Sequence, residues 1–484
     1  MLRVPLLLRL LAMPLLWMGI VQLSFAELSY FFFKDNVGDA FFESAAVVTL
    51  LATFFLLYMR RFPFNAVSTK EAILFAVLTW FTVGFLGAVP IFIITGVSWT
   101  DAVFESISAL TTTGATVLSG LDYMPKTFLL YRQFLQWMGG LGVVIFVVAV
   151  LPMLNVGGMK LLKAETPGPM KDDKLSPRIK NSADRLWYVY LALTLICALA
   201  YWLGGMSAYD AIAHSLATIS TGGFSTHDSS MGYFDSSLLL WLCNFFMIAG
   251  AISFALHYRV FKAKRFKQYI KDEECLFFLW IILAFSLVAA GVLYFSGYHH
   301  SVYEAISQAT FHVISFITST GFGAGDFSSW PMSLMLLLIV VGYIGGCAGS
   351  TAGGNKVIRS VIAFRTLVIE LKQMVHPNAV FVLKYQKRPV ADQIRNSIIA
   401  FMWLVFVTSI IFTFLVMLTG EDFVTSFSAV SACVNVLGPG FGDISSNFAP
   451  LNSFAKWLLS FAMVFGRLEY FTVIVLLTPY LWRS

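Results

Sequence analysis

Thr318-Ser319-Thr320-Gly321-Phe322-Gly323 closes an apolar stretch that opens at Glu304-Ala305-Ile306-Ser307-Gln308. Three other places in the chain read alike. Asp101-Ala102-Val103-Phe104-Glu105-Ser106 runs on to Thr111-Thr112-Thr113-Gly114. Asp210-Ala211-Ile212-Ala213-His214-Ser215 runs on to Ile219-Ser220-Thr221-Gly222-Gly223. Asp422-Phe423-Val424-Thr425-Ser426 runs on to Asn435-Val436-Leu437-Gly438. Aligned on Gly114, Gly222, Gly321 and Gly438, the repeats are 108, 99 and 117 residues apart, room for two membrane crossings and a loop. One hydroxyl-rich turn ending in glycine is ordinary loop chemistry. Four in register, each after a half-length apolar segment too short to span a bilayer, are an internal repeat.

Outward from these loops the chain is apolar. It is 58% hydrophobic and 12% charged, against about 25% charged in soluble domains. Ten crossings are predicted, near 5–26, 38–59, 72–97, 128–152, 186–206, 236–258, 275–297, 332–369 (interrupted), 394–419 and 452–481. The fold expected is an all-α polytopic membrane protein with four parallel helix–pore loop–helix repeats around a central pore, plus an N-terminal helix pair. The divisions fall at 1–68 for the pair, then 69–156, 157–272, 273–392 and 393–484 for the repeats. The apolar run at 4–25 exceeds the roughly 7–15 residues of a signal-peptide core, so its retention is expected.

Basic residues order the topology. Of the 32 Lys and Arg, 27 fall on one side, leaving Lys34, Lys126, Arg132, Lys456 and Arg467, and the loops at 207–235 and 298–331 carry none. The basic side is the cytoplasmic one, which places both termini inside. Net charge is +6, and its distribution by loop points to membrane topology and anionic lipid, not nucleic acid.

Non-helical backbone at membrane depth must be buried in protein or line a watery cavity. Four pore loops about one axis present carbonyl oxygens that replace the hydration shell of a monovalent cation. The expected ion-binding residues are Thr112, Thr113 and Gly114; Ser220, Thr221 and Gly222; Ser319, Thr320 and Gly321; and Val436, Leu437 and Gly438. Glycine suits positions where a Cβ is excluded. No carboxylate lies in these turns, which argues against a divalent-cation pore. Each half-helix aims its C-terminal, partly negative end at the turn. Asp101, Asp210, Glu304 and Asp422 at the other ends are expected to cap the helices.

Gly345-Gly346-Cys347-Ala348-Gly349-Ser350-Thr351-Ala352-Gly353-Gly354-Asn355-Lys356 interrupts a crossing with five glycines in twelve residues. It reads as a packed kink, an early cytoplasmic loop, or a flexible gate of Gly345, Gly346, Gly349, Gly353 and Gly354. Arg467 lies inside the last apolar helix, where a charge faces a partner, Glu469 among the candidates, or a watery cavity. The five cysteines and seven histidines lack metal-ligand spacing, and no hydrolase or nucleotide-binding fingerprint is present. This chain is therefore expected to be no enzyme and to hold no nucleotide site.

With these loops the sequence resembles the Trk/Ktr/HKT superfamily of potassium transporters, its TrkH branch most closely, over essentially the whole chain. The motifs that carry the resemblance are Thr-Thr-Gly114, Ser-Thr-Gly222, Ser-Thr-Gly321 and the divergent Val-Leu-Gly438. The resemblance implies K+ as the transported ion, a filter glycine in each loop, and the broken helix as a gate with Arg467 beside it. It also implies a homodimer with one pore per protomer, in a bacterial inner membrane. Its partner would be a TrkA-like cytosolic nucleotide-binding regulatory subunit, met by the basic loops near 157–185, 259–273 and 370–393. Sodium-coupled, Ktr-like transport is the neighbouring reading; a membrane-embedded enzyme or a scaffold lacks supporting residues.

Overall fold

The computed structural model describes residues 3–58, 68–149, 175–468 and 470–482. Helix dominates, and the strands among the described residues are the two-residue pair Lys384–Tyr385 and Arg388–Pro389 of one small hairpin. Seven predicted crossings are unbroken helices: Val4–Glu27, Gly38–Tyr58, Thr69–Thr95, Lys126–Ala149, Leu175–Leu203, Glu273–Phe295 and Asp392–Met417. By length and hydropathy alone, six described helices are able to cross a membrane, and eight when each bent pair counts as one span.

The second helices of repeats two and four depart from expectation, while the break foreseen in repeat three is present. The interruption in repeat three separates Met332–Ile344 from Val357–Val375. Repeat two, expected to cross unbroken, also breaks: Ser237–Ala251 and Phe254–Ala263 meet at 99°. In repeat four the helix Ser453–Arg467 ends where Tyr470–Leu477 begins anew. The continuous apolar runs of repeats two and four concealed their breaks, because hydropathy reports composition and is blind to direction.

Four half-length helices dip between the long ones: Trp99–Leu110, Ala208–Ile219, Val302–Ile317 and Phe423–Val434. A 12-residue pore helix is about 18 Å long, well short of the ~30 Å hydrocarbon core. The expected capping roles are corrected in part. Ser98 and Ser207 are the N-caps of the first two, and Asp101 and Asp210 sit inside the first turn accepting the serine hydroxyls at 2.7 Å. Asp422 is itself the N-cap of the fourth, whereas Glu304 occupies the first turn of the third behind Ser301.

Packing closes a ring. The second helix of each repeat lies against the pore helix of the next: Lys126–Ala149 on Ala208–Ile219, Ser237–Ala251 on Val302–Ile317, Met332–Ile344 on Phe423–Val434, and Ser453–Arg467 back on Trp99–Leu110. The apolar core forms two bodies, one joining the N-terminal pair with repeats one and four, the other joining repeats two and three. Phe25, Phe41 and Tyr131 lock the N-terminal pair to repeat one through edge-on ring contacts.

Two basic residues left off the basic side are accounted for by buried pairing. Arg132 meets Glu105 at 2.5 Å with both side chains fully enclosed, and Lys456 reaches Asp101 at 2.6 Å. Removing one partner of the fully enclosed Arg132–Glu105 pair costs on the order of 3–5 kcal/mol, since it strands the other charge, whereas Asp101 keeps some contact with solvent and its pair with Lys456 is worth less.

The second helices approach the pore-helix ends so closely that glycine is required. A Cβ on Gly139 would fall 1.7 Å from the Leu110 carbonyl oxygen, and one on Gly466 would fall 2.1 Å from that of Val434. Gly291, in the middle of Glu273–Phe295, has open space instead. Gly139→Ala is expected to lower the melting temperature of the detergent-solubilised protein by forcing backbones apart, at a cost of roughly 1–3 kcal/mol or more. Gly291→Ala should leave it unchanged or raise stability by up to about 1 kcal/mol; equal melting curves for the two variants would refute this packing.

Candidate functional site

Each pore helix ends in a right-handed cap residue, Thr111, Ser220, Thr318 or Asn435. A left-handed residue follows in every case: Thr112 (φ 58°), Thr221 (φ 53°), Ser319 (φ 51°) and Val436 (φ 57°). Two residues later comes a left-handed glycine: Gly114 (φ 82°), Gly223 (φ 76°), Gly321 (φ 79°) and Gly438 (φ 97°). Left-handed backbone at a side-chain-bearing residue costs of order 1–3 kcal/mol and persists only where the surroundings enforce it. Alternating hands turns successive peptide groups toward one side.

The conformations move the register of the second loop by one residue. Gly223 is the counterpart of Gly114, Gly321 and Gly438, while Gly222 stands level with Thr113, Thr320 and Leu437. The sequence alignment on Gly222 fails because two adjacent glycines are indistinguishable by composition.

The four glycines close on one another in cyclic order. A Cβ on Gly114 would lie 2.2 Å from the carbonyl oxygen of Gly222; on Gly223, 1.9 Å from that of Thr320; on Gly321, 2.1 Å from that of Leu437; and on Gly438, 2.6 Å from that of Thr113. One carbonyl from each loop, always that of the residue before the glycine, thus meets the glycine of its neighbour. Gly222 is confined by a side chain, Gln136, whose Nε2 donates to its carbonyl at 2.6 Å while its Oε1 accepts from the Phe224 N–H.

Several hydroxyls of these turns bond within their own loops. Thr111 and Thr113 bond each other at 2.8 Å, and Thr318 and Thr320 do so at 2.7 Å, with Thr111 and Thr318 donating back to the pore-helix carbonyls of Ile107 and Ile314. Thr221 donates to the Ser220 carbonyl. Thr112 is buried with no hydrogen-bond partner for its hydroxyl among the described residues.

The broken segment at 345–356 lies against the base of this ring. Thr351 Oγ1 donates to the Ile219 carbonyl at 2.9 Å in repeat two, the Gly353 N–H donates to Ser319 Oγ in repeat three, and the Gly354 N–H donates to the Asn435 carbonyl at 3.2 Å in repeat four. Arg467, buried, completes the circuit. Its Nη1 donates to the Thr351 carbonyl at 2.9 Å and its Nη2 to the Gly139 carbonyl of repeat one at 3.2 Å. Glu469 lies outside the described residues. Gly345, Gly353 and Gly354 allow the segment to fold on itself, because a Cβ on Gly345 would meet the Gly353 carbonyl at 2.4 Å.

The family model for TrkH, described as a cation transport protein, matches residues 39–482. This chain belongs to the TrkH family. It is 42% identical over 460 residues to the Trk system potassium uptake protein TrkH of Halomonas elongata, covering 93% of this chain and 94% of the relative. To the TrkH of Escherichia coli K12 it is 42% identical over 455 residues, with coverage of 93% and 94%. The crystal structure of the potassium transporter TrkH from Vibrio parahaemolyticus superimposes with a TM-score of 0.91 at 39% identity, covering all of both chains. TrkH proteins form a transporter family, not an enzyme family.

Sequence reasoning missed how the pore loops of this TrkH member are braced from behind. Each pore helix carries one polar side chain that secures the chain just past the glycine. Glu105 accepts from the Val117 N–H at 2.9 Å, His214 meets Ser225 Oγ at 2.9 Å, His312 Nε2 accepts from the Ala324 N–H at 3.5 Å, and Ser428 accepts from the Phe441 N–H at 2.9 Å. Three residue types, histidine in two of the four helices, do the same work, so no single letter marks the position in all four repeats. At the outer rim His227 stacks on Tyr233 and bonds Asp122 at 2.5 Å, with a looser ion contact to Asp210 at 3.5 Å. Burial lowers its pKa, but the two carboxylates outweigh that and raise it overall.

The register makes its own test. Gly223→Ala places a methyl against the Thr320 carbonyl in left-handed backbone, whereas the atoms nearest a methyl in Gly222→Ala are those of the Gln136 side chain. The first is expected to lower discrimination between potassium and sodium by at least about tenfold, from a distortion of order 1–3 kcal/mol, and the second by much less. Ion-selectivity measurements giving the reverse order would place Gly222, not Gly223, in the ring.

Proposed function

We propose that this chain takes up potassium through a selective pore in a bacterial inner membrane, with both termini cytoplasmic. The observation that carries this reading is the cyclic contact of Gly114, Gly223, Gly321 and Gly438 with the carbonyl of the neighbouring loop. A ring of four backbone carbonyls, free of carboxylates, suits a dehydrated monovalent cation, and the pore-helix C-termini aimed at it favour positive charge. The relatives named as potassium uptake proteins supply the ion. Thr112-Thr113-Gly114, Ser220-Thr221-Gly222-Gly223, Ser319-Thr320-Gly321 and Val436-Leu437-Gly438 are the filter residues in this reading, and the repeats run 69–156, 157–272, 273–392 and 393–484.

The segment at 345–356, with Arg467 across it, acts as the gate. Together they bond to all four repeats below the ring, and the guanidinium adds an electrostatic barrier to cations. Purified protein in liposomes is expected to pass potassium in preference to sodium, without a sodium requirement. Arg467→Ala should raise that flux about tenfold by releasing two charge-assisted bonds. Absence of potassium flux from the wild type would overturn the function, and a fall in flux in a stably folded Arg467→Ala protein would overturn the gate.

Control comes from a second copy and a cytosolic nucleotide-binding partner of the TrkA type. The docking surface is the amphipathic helix Phe254–Ala263 with its exposed Lys262, followed by Lys264, Arg265 and Lys267, and the loop bearing exposed Val380 and Val382. Leu383 of the same apolar patch is turned inward, and most of the 157–185 loop lies outside the described residues. Charge reversal at Lys262, Lys264, Arg265 and Lys267, combined with Val380→Ser and Val382→Ser, is expected to abolish co-purification with such a partner. Undiminished capture would place the dock elsewhere.

A further inference from the structure

Glu274 is almost fully enclosed, at 3% exposure, in the first turn of Glu273–Phe295. A carboxylate so placed needs strong partners, and its position next to the cytoplasmic basic loops gave no reason to bury it. One oxygen, Oε1, accepts the Ala348 N–H at 2.7 Å and the Ile358 N–H at 3.2 Å. These two donors lie on opposite sides of Thr351, the residue that touches the base of pore helix two. A single side-chain atom therefore bridges the descending and returning arms of the broken segment. Two backbone bonds close the neck beside it, Val357 N–H to the Gly346 carbonyl and Asn355 N–H to the Tyr343 carbonyl, both at 3.0 Å.

The returning helix Val357–Val375 begins without a cap of its own: Lys356 holds the N-cap position with left-handed φ of 72° and no side-chain cap bond. Orphan N–H groups at a helix start attract an anion, and Glu274 supplies it from another helix. The two preceding residues fasten the same turn to the cytoplasmic elements. Glu273 pairs with Arg365 of the returning helix at 3.1 Å, and Arg365 also donates to the Lys384 carbonyl of the hairpin at 2.6 Å. Asp272 accepts from Gln386 of the hairpin at 3.3 Å and approaches Arg259 at 3.7 Å.

We propose that Glu274 is the positioning residue that holds the broken segment shut beneath the pore, and that the Asp272-Glu273-Glu274 turn passes movement of the cytoplasmic hairpin and returning helix to that segment. This rests on the reading of 345–356 as the gate. A pull on Val357–Val375 withdraws the Ile358 N–H from Glu274 while the Ala348 bond stays. The neck of the segment opens, and the apex at Thr351 loses its fixed place against Ile219.

The test is potassium flux through the full-length purified chain in liposomes without any partner, with three variants. Glu274→Ala removes both acceptor bonds and is expected to raise flux about tenfold, with the potassium-to-sodium preference unchanged, since the ring is untouched. Glu274→Gln keeps an oxygen of the same shape but loses its charge, and should give an intermediate rise of about threefold, because neutral bonds are roughly half as strong as charge-assisted ones. Arg467→Ala is the control for the gate itself. If Arg467→Ala raises flux and Glu274→Gln leaves it at the wild-type level, the proposal fails while the gate stands. If neither raises it, the gate reading fails and this proposal with it. Should Glu274→Ala not fold, the isosteric Glu274→Gln decides. A rise accompanied by lost ion preference would also overturn the proposal, since it would mean that Glu274 supports the ring and not the segment below it.

Discussion

Everything in this molecule is arranged around backbone that leaves the helix in the interior of a membrane protein. Such backbone has no water to satisfy it and no lipid able to do so. The four turns solve this by leaning on each other: each left-handed glycine accepts the close approach of the next loop's carbonyl. The approach forbids a Cβ, so the requirement for glycine comes from a neighbour in space about a hundred or more residues away as much as from local φ. Because the contacts run in a circle, no loop is complete without the other three.

The same demand propagates outward. Glu105, His214, His312 and Ser428 hold the chain beyond each turn, and Gln136 wedges between the first and second loops. The second helices press glycines against the pore-helix ends, which brings them near enough for the broken segment and Arg467 to bond to all four repeats. The two buried ion pairs belong to this support. Glu105 serves Arg132 and the loop backbone at once, and Asp101 ties the pore helix of repeat one to Lys456 of repeat four. In the proposed mechanism the rigid ring selects and the segment below it moves, a division consistent with one being braced on every side and the other hanging from a few hydrogen bonds.

The departures from fourfold symmetry fall where this division predicts. Above the ring the four repeats differ in residue type yet keep one geometry. Below it they diverge in shape: the second helix of repeat one continues to Ala149, that of repeat two turns through 99°, that of repeat three breaks into an extended segment, and that of repeat four ends at Arg467. In the proposed mechanism the asymmetric half is the part that moves.

Much was legible from the amino-acid sequence. Long apolar runs, half-length segments and hydroxyl-glycine turns in register determined an all-helical membrane protein with four pore loops, because hydrophobic length and turn chemistry are local properties. The five glycines of 345–356 announced a broken helix for the same reason. What only the tertiary structure decided depends on contacts between distant residues. The register of the second loop at Gly223 follows from the backbone hand and from which carbonyl it meets, and a pair of adjacent glycines carries neither. Two carbonyl partners of Arg467 came from elements 116 and 328 residues away. The burial of Glu274 was equally invisible: a glutamate at the start of a helix looks like an ordinary first-turn acid, and its hold on both arms of the broken segment exists only once repeat three has folded back on itself.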